Sequence, residues 1–176
     1  RKSGNPVFEW VITSNRGKRF KHLIERSDIR RVLKTLKEGR TLWYAPDQNY
    51  AAKHSVFAPF FGIEASTITA TTRFAQLNQS PLLIFSHVRR EDGSGYTLKI
   101  SPPLENFPTG DERTDATQIN YLLAEAIRQQ PDQYMWVHRR FKTRPEGEPP
   151  LYQKKKKHLR PEEQSWFQKL LKKLKR

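Results

Sequence analysis

The run Leu82-Leu83-Ile84-Phe85-Ser86-His87-Val88, then Glu91-Asp92-Gly93-Ser94-Gly95, then Tyr96-Thr97-Leu98-Lys99-Ile100, carries the clearest fold signal in the chain. Apolar and β-prone residues read as a strand, the Asp-Gly-Ser-Gly cluster as a turn, and the last five residues as the returning hairpin strand. Downstream, Pro102 to Gly110 is loop. A helix follows from about Thr114 to Gln130, and Pro131 restarts the chain into Tyr134-Met135-Trp136. Upstream, Ser66 to Asn78 is Thr-rich, but Ile68, Phe74 and Leu77 share a helical face, so a helix is expected there. Val56 to Phe61 is an apolar run broken by Pro59, preceded by a polar loop from Pro46 to Ser55. Thr41-Leu42-Trp43-Tyr44-Ala45, ended by Pro46, reads as a short buried parallel strand. Two helices come first. Asn5-Pro6 opens one carrying Val7, Phe8, Trp10, Val11 and Ile12, which the basic stretch Arg16 to Lys21 closes; Ser27 caps the other, Asp28 to Glu38, before Gly39. Helix–strand alternation followed by a hairpin indicates the α/β class, with a mixed sheet and flanking helices.

Length and composition narrow the function. The 176 residues suffice for one domain with a tail, and 35% hydrophobic content with ten Phe, six Tyr and four Trp excludes a fully disordered chain. The absence of cysteine excludes a disulfide scaffold and a Cys-ligated metal site. No apolar run approaches the roughly 18–20 residues that span a bilayer. The chain opens at Arg1, inside a motif, and its one methionine is Met135, so it is expected to be part of a longer protein. The net charge is +15, of which residues 153–176 carry +8. Such a charge attracts polyanions: nucleic acid, anionic lipid head groups or an acidic protein. In the tail, Pro161, Glu162 and Glu163 form a helix start, and Trp166, Phe167, Leu170, Leu171 and Leu174 recur at helical spacing opposite lysines. This basic amphipathic helix reads either as a membrane-interface element or as a helix docked on its own domain.

Few residues stand out for chemistry. Asp47 follows Pro46 at the end of the expected strand, where open α/β sheets place their sites; the alternative is a loop cap. His138-Arg139-Arg140-Phe141-Lys142-Thr143-Arg144 holds one His and four cations in seven residues. Guanidinium forks suit phosphate, interleaved aromatics suit single-stranded nucleic acid, and a solvated basic surface needs neither. His87…Asp92 and His158…Glu163 have the spacing of a base and its orienting carboxylate, but a hairpin tip and a lysine-rich linker are poor settings for one. Glycine-rich phosphate loops, HExxH and GxSxG are absent.

Three stretches carry a resemblance. Arg1-Lys2-Ser3-Gly4-Asn5-Pro6-Val7-Phe8-Glu9-Trp10 resembles the Arg-x-x-x-Asn-Pro segment of the lipid A biosynthesis acyltransferases. Trp43-Tyr44-Ala45-Pro46-Asp47-Gln48-Asn49-Tyr50, with Ser55-Val56-Phe57-Ala58-Pro59-Phe60 behind it, is similar to that family's Trp-Tyr-Ala-Pro-Asp block. Gln133 to Gly147 closely resembles its C-terminal signature. The match runs from Arg1 to about Tyr152. Residues 1–152 are thus expected to be the C-terminal part of an acyltransferase domain, and 153–176 a basic tail.

The resemblance implies a glycerolphosphate-acyltransferase-like α/β fold. It also implies transfer of a fatty acyl chain from acyl carrier protein to a hydroxyl of a phosphorylated lipid A precursor, at the cytoplasmic face of the bacterial inner membrane. It implies no cofactor, no metal and no nucleic-acid partner. The family's His-x4-Asp/Glu pair lies upstream of the stretch that Arg1 begins, so residues 1–176 alone are expected to be inactive. Arg1 matches an arginine near the family's active site, suited to a developing oxyanion or a phosphate. Asp47 matches the aspartate of the Pro-Asp block and is expected to orient. From charge, Arg16, Arg139, Arg140 and Arg144 are expected to bind the acceptor's phosphates or the acidic carrier. Two departures concern specificity: Asn49 stands where relatives often have a second Asp, and Ala51 where many have Gly. Within enzymes, a transferase acting on another glycolipid or phospholipid is the alternative. Outside them, it is a non-catalytic basic module binding nucleic acid or membrane.

Overall fold

The computed structural model describes residues 4–25 and 27–153. Helix α1 (Pro6–Gly17) starts where Asn5 caps it, its side chain accepting from the Val7 and Phe8 amides at 3.0 and 3.2 Å. Helix α2 (Ile29–Lys37) is capped by Asp28, one residue later than the sequence suggested, through a 3.1 Å bond from the Arg31 amide. Gly39, at φ +70°, ends it. Helix α3 (Ala70–Asn78) follows the first hairpin, and helix α4 (Glu112–Arg128) is capped by Asp111, which accepts from the Thr114 amide at 2.6 Å.

Strands β1 (Ser55–Phe60) and β2 (Ile63–Ile68) pair antiparallel, with Ala58 opposite Ala65 and Phe60 opposite Ile63. The expected helix beginning at Ser66 is therefore corrected: residues 66–68 finish β2, and only Ala70–Asn78 is helical. A two-residue loop dictates this. Phe61 (φ +51°) and Gly62 (φ +77°) are both left-handed, as a type I′ hairpin turn requires, which sends Ile63 straight back along β1. A Cβ at Gly62 would meet nothing within 4 Å, so its substitution carries only a backbone penalty. Gly62→Ala should lower stability by about 1–2 kcal/mol in urea titrations. No measurable change would remove the turn from the folding determinants.

Strands β3 (Phe85–Arg89) and β4 (Tyr96–Ile100) form the hairpin read from the sequence, with Phe85 opposite Ile100 and Arg89 opposite Tyr96. The Gln133 amide extends its edge, accepting from the Arg89 amide (2.7 Å) and donating to the Arg89 carbonyl (3.1 Å). Among the described residues the strands thus form two small antiparallel sheets beside four helices, not one mixed sheet. Each sheet is a hairpin closed by a tight turn, which makes its two strands antiparallel, and β2 and β3, although joined through α3, do not pair.

The expected strand Thr41–Ala45 is likewise corrected. The stretch makes no ladder among the described residues, and Trp43 is 68% exposed. Tyr44 instead turns toward α3, its hydroxyl bonded to Thr71 and its ring edge-on to Phe74.

The core lies between the β1–β2 hairpin and α4. Ala58, Ala65, Ala116 and Ala124 are buried, and their small side chains let helix and hairpin approach closely. Phe60 fills the remaining space with Phe61, Leu123, Ile127, Tyr134 and Phe141 around it. A lone two-stranded hairpin is marginal in water, so this helix packing is what holds it. The amphipathic helix expected at Trp166–Leu174 lies outside the described residues.

Candidate functional site

The Pro46–Tyr50 loop and the segment from Tyr134 to Thr143 lie far apart in sequence and meet in the fold. Tyr134 donates its hydroxyl to Asp47 Oδ2 at 3.0 Å. The Asn49 amide nitrogen donates to His138 Nε2 at 3.1 Å, which puts that imidazole's proton on Nδ1. The Asn49 side chain then pairs reciprocally with Thr143. Its Oδ1 accepts from the Thr143 amide at 2.9 Å, and its Nδ2 donates to Thr143 Oγ1 at 3.0 Å. One residue on, the Tyr50 carbonyl accepts from Thr143 Oγ1 (3.2 Å) and Ser66 Oγ (2.9 Å). Together with Tyr44 on Thr71, these bonds fix the loop at both ends.

Asp47 is half-buried, and among the described residues Oδ1 has no hydrogen-bond donor. Burial pushes the Tyr134 phenol above the usual tyrosine range, and the Asp47 charge pushes it further, so it stays protonated and donating. Tyr134 is in turn set by rings: Phe60 at 6.4 Å and Trp136 at 4.8 Å between centroids. Trp136 is tied back through a 2.6 Å bond from Nε1 to the Pro131 carbonyl.

The arginines of this segment diverge. Arg140 is 1% exposed and points into the core. It donates to the Ser66 carbonyl at 2.6 Å, Thr67 Oγ1 at 2.8 Å and Asn120 Oδ1 at 3.4 Å, with its guanidinium 5.4 Å from the Phe60 ring centroid. Burial draws its pKa down, while the Tyr134, Asp47 and Tyr152 groups oppose that shift. Its side chain is thus engaged inside the protein rather than presented to solvent. Arg144 donates to the Glu64 carbonyl at 2.7 Å and pairs with Glu148. Arg139 alone of the three is exposed, 5.5 Å over the Tyr152 ring. Arg16 is exposed in the last turn of α1, and Arg1 lies outside the described residues.

Asp92 accepts from the Ser94 amide at 2.9 Å and so caps the hairpin turn, while His87 packs between Phe85 and Tyr96. His158 and Glu163 are outside the described residues. Among the described residues, no group of three or more His, Asp or Glu side chains is arranged to hold a metal ion.

The sequence reading missed Tyr134, Ser66, Thr67 and Asn120, and it singled out Asn49 for specificity without its tie to Thr143. Asn120 had a signal: it interrupts the apolar face that Ala116, Ile119 and Ala124 draw on α4. Its Nδ2 donates to Thr67 Oγ1 at 2.9 Å, beside Arg140. Tyr134 had none beyond its place in an aromatic run.

The two stretches that meet here are also two that carry the family resemblance, and the family model for the bacterial lipid A biosynthesis acyltransferases matches residues 1–143. The chain belongs to that family. The lipid A biosynthesis lauroyltransferase of Escherichia coli (strain K12) is 41% identical over 153 residues, covering 86% of this chain and 50% of the relative. The palmitoleoyltransferase of the same organism is 42% identical over the same coverage, and its myristoyltransferase 28% identical over 153 residues. The chain spans about half the length of these curated relatives. In this lipid A acyltransferase family member, the Pro-Asp block and the C-terminal signature form one hydrogen-bonded unit, with Asp47 at its edge. No described helix is long and apolar enough to cross a membrane.

Proposed function

We propose that this chain forms part of an enzyme that moves a fatty acyl group from acyl carrier protein to a hydroxyl of a phosphorylated lipid A precursor, at the cytoplasmic face of the bacterial inner membrane. The observation that carries this reading is the half-buried Asp47, fixed through Oδ2 to Tyr134 inside the two family motifs. In the reaction the acceptor oxygen bonds to the thioester carbonyl carbon. The C–S bond then breaks, and the carrier's thiol leaves with the proton the hydroxyl gave up. Asp47 orients the hydroxyl, or the group that takes its proton, through the oxygen Tyr134 does not hold. No general base is assigned within residues 1–176. Arg1 supplies positive charge to the oxyanion or to a phosphate. Exposed Arg139 and Arg16, within a net charge of +15, suit phosphates and an acidic carrier. The relatives' names cover three acyl chains, lauroyl, palmitoleoyl and myristoyl, and these are the donors to compare.

The test is to supply the complete gene product with acyl carrier proteins bearing different acyl chains and with a lipid A precursor. The acceptor's mass is then followed. A gain of one acyl group is the expected result. Transfer only to a glycerophospholipid would replace the acceptor, and no transfer by folded protein would overturn the reading.

A further inference from the structure

We propose that Tyr134 and His138 are positioning residues for Asp47, holding the Pro46–Tyr50 loop so that one carboxylate oxygen is tethered and the other is left for substrate. This rests on the role given to Asp47 above and adds what sets its geometry. Two contacts, 87 and 89 residues apart in sequence, carry the inference. The Tyr134 hydroxyl occupies Oδ2, and its phenol stays protonated because burial and the adjacent carboxylate both disfavour the phenolate. His138 grips the same loop two residues on through the Asn49 backbone, as a neutral ring accepting at Nε2. One contact acts on the carboxylate and the other on the main chain behind it. Neither residue needs to reach substrate to act.

A double-mutant cycle on the complete gene product tests this, with acyl transfer and thermal unfolding read together. Tyr134→Phe keeps the ring among Phe60 and Trp136 and deletes only the hydroxyl. It should lower kcat about ten- to a hundredfold, the usual worth of a hydrogen bond to a charged group, with KM for both substrates nearly unchanged. In an Asp47→Asn background the same change should cost little further turnover, because the negative charge that the tether positions is already gone. Equal losses in both backgrounds would make Tyr134 merely structural. No loss from Tyr134→Phe beside a large loss from Asp47→Asn would overturn this proposal and leave the role of Asp47 standing. No loss from Asp47→Asn would remove that role, and this proposal with it.

Amide hydrogen exchange on the 176-residue chain gives a reading independent of turnover. His138→Ala should speed exchange at the Asn49 amide, while His138→Gln, whose Oε1 can still accept there, should restore protection. Unchanged exchange in His138→Ala would show that the loop is held without the histidine.

Discussion

Arg140→Ala is expected to cost about 3–5 kcal/mol of folding free energy, a large share of the roughly 5–15 kcal/mol that holds a typical domain together. The guanidinium is buried, and its partners are the Ser66 carbonyl, the Thr67 hydroxyl and the Asn120 amide oxygen. Alanine would leave the first of these without its donor inside the protein, where an unsatisfied polar group costs about 1–3 kcal/mol, and would open a cavity against Phe60. Lysine should not rescue it. A point charge cannot reproduce two nitrogens reaching Ser66 on one side and Thr67 and Asn120 on the other. Arg139→Ala, one residue away and exposed, should change stability by less than about 0.5 kcal/mol. Urea unfolding of the three variants decides the matter. An Arg140→Ala protein as stable as its parent but unable to bind phosphorylated acceptor would return Arg140 to the ligand-binding role its sequence suggests.

The second large effect is on turnover. Asp47→Asn should lower kcat about 10²–10³-fold in the complete gene product while the fold survives. Asparagine is nearly isosteric and keeps an oxygen to accept from Tyr134, so the loop's anchoring remains and only the negative charge is lost. Some loss of stability is expected, because Asp47 is among the groups that favour the buried Arg140 cation. The comparison that matters is between the two losses. If activity falls only in proportion to the folded fraction, Asp47 is a loop residue tied to Tyr134 and nothing more.

Local chemistry made much of the fold legible. Asn5-Pro6, Gly39, the Asp-Gly-Ser-Gly turn and the periodicity of α4 are signals that act within a few residues, and the elements they predict are present. Where tertiary context decides, the reading fell short. Thr41–Ala45 has β-prone side chains, yet strand formation needs a neighbour's backbone, and Tyr44 is spent on Thr71 and Phe74 instead. Ser66 and Thr67 looked helical because the Phe61-Gly62 turn went unread. Asp47 stands out by resemblance alone, because the strand whose end it is expected to mark does not form; Tyr134, 87 residues away, does not stand out, since nothing local to an aromatic run announces a carboxylate partner. Arg140 sat in a cationic cluster that charge counting treats as one surface. The backbone from His138 to Arg144 sends its neighbours in different directions.

Asn49 stands where the resemblance leads one to expect aspartate, and its contacts say what an amide does there that a carboxylate would not. The Thr143 hydroxyl donates to the Tyr50 carbonyl, so its oxygen is left to accept, and Asn49 Nδ2 donates to it. A carboxylate at 49 could still accept from the Thr143 amide but would set oxygen against oxygen on the other side, forcing the hydroxyl to turn and release Tyr50. Residues 49 and 143, ninety-four positions apart, are therefore matched as donor and acceptor. Anyone recombining this chain with a relative inherits both halves or must redesign the seam.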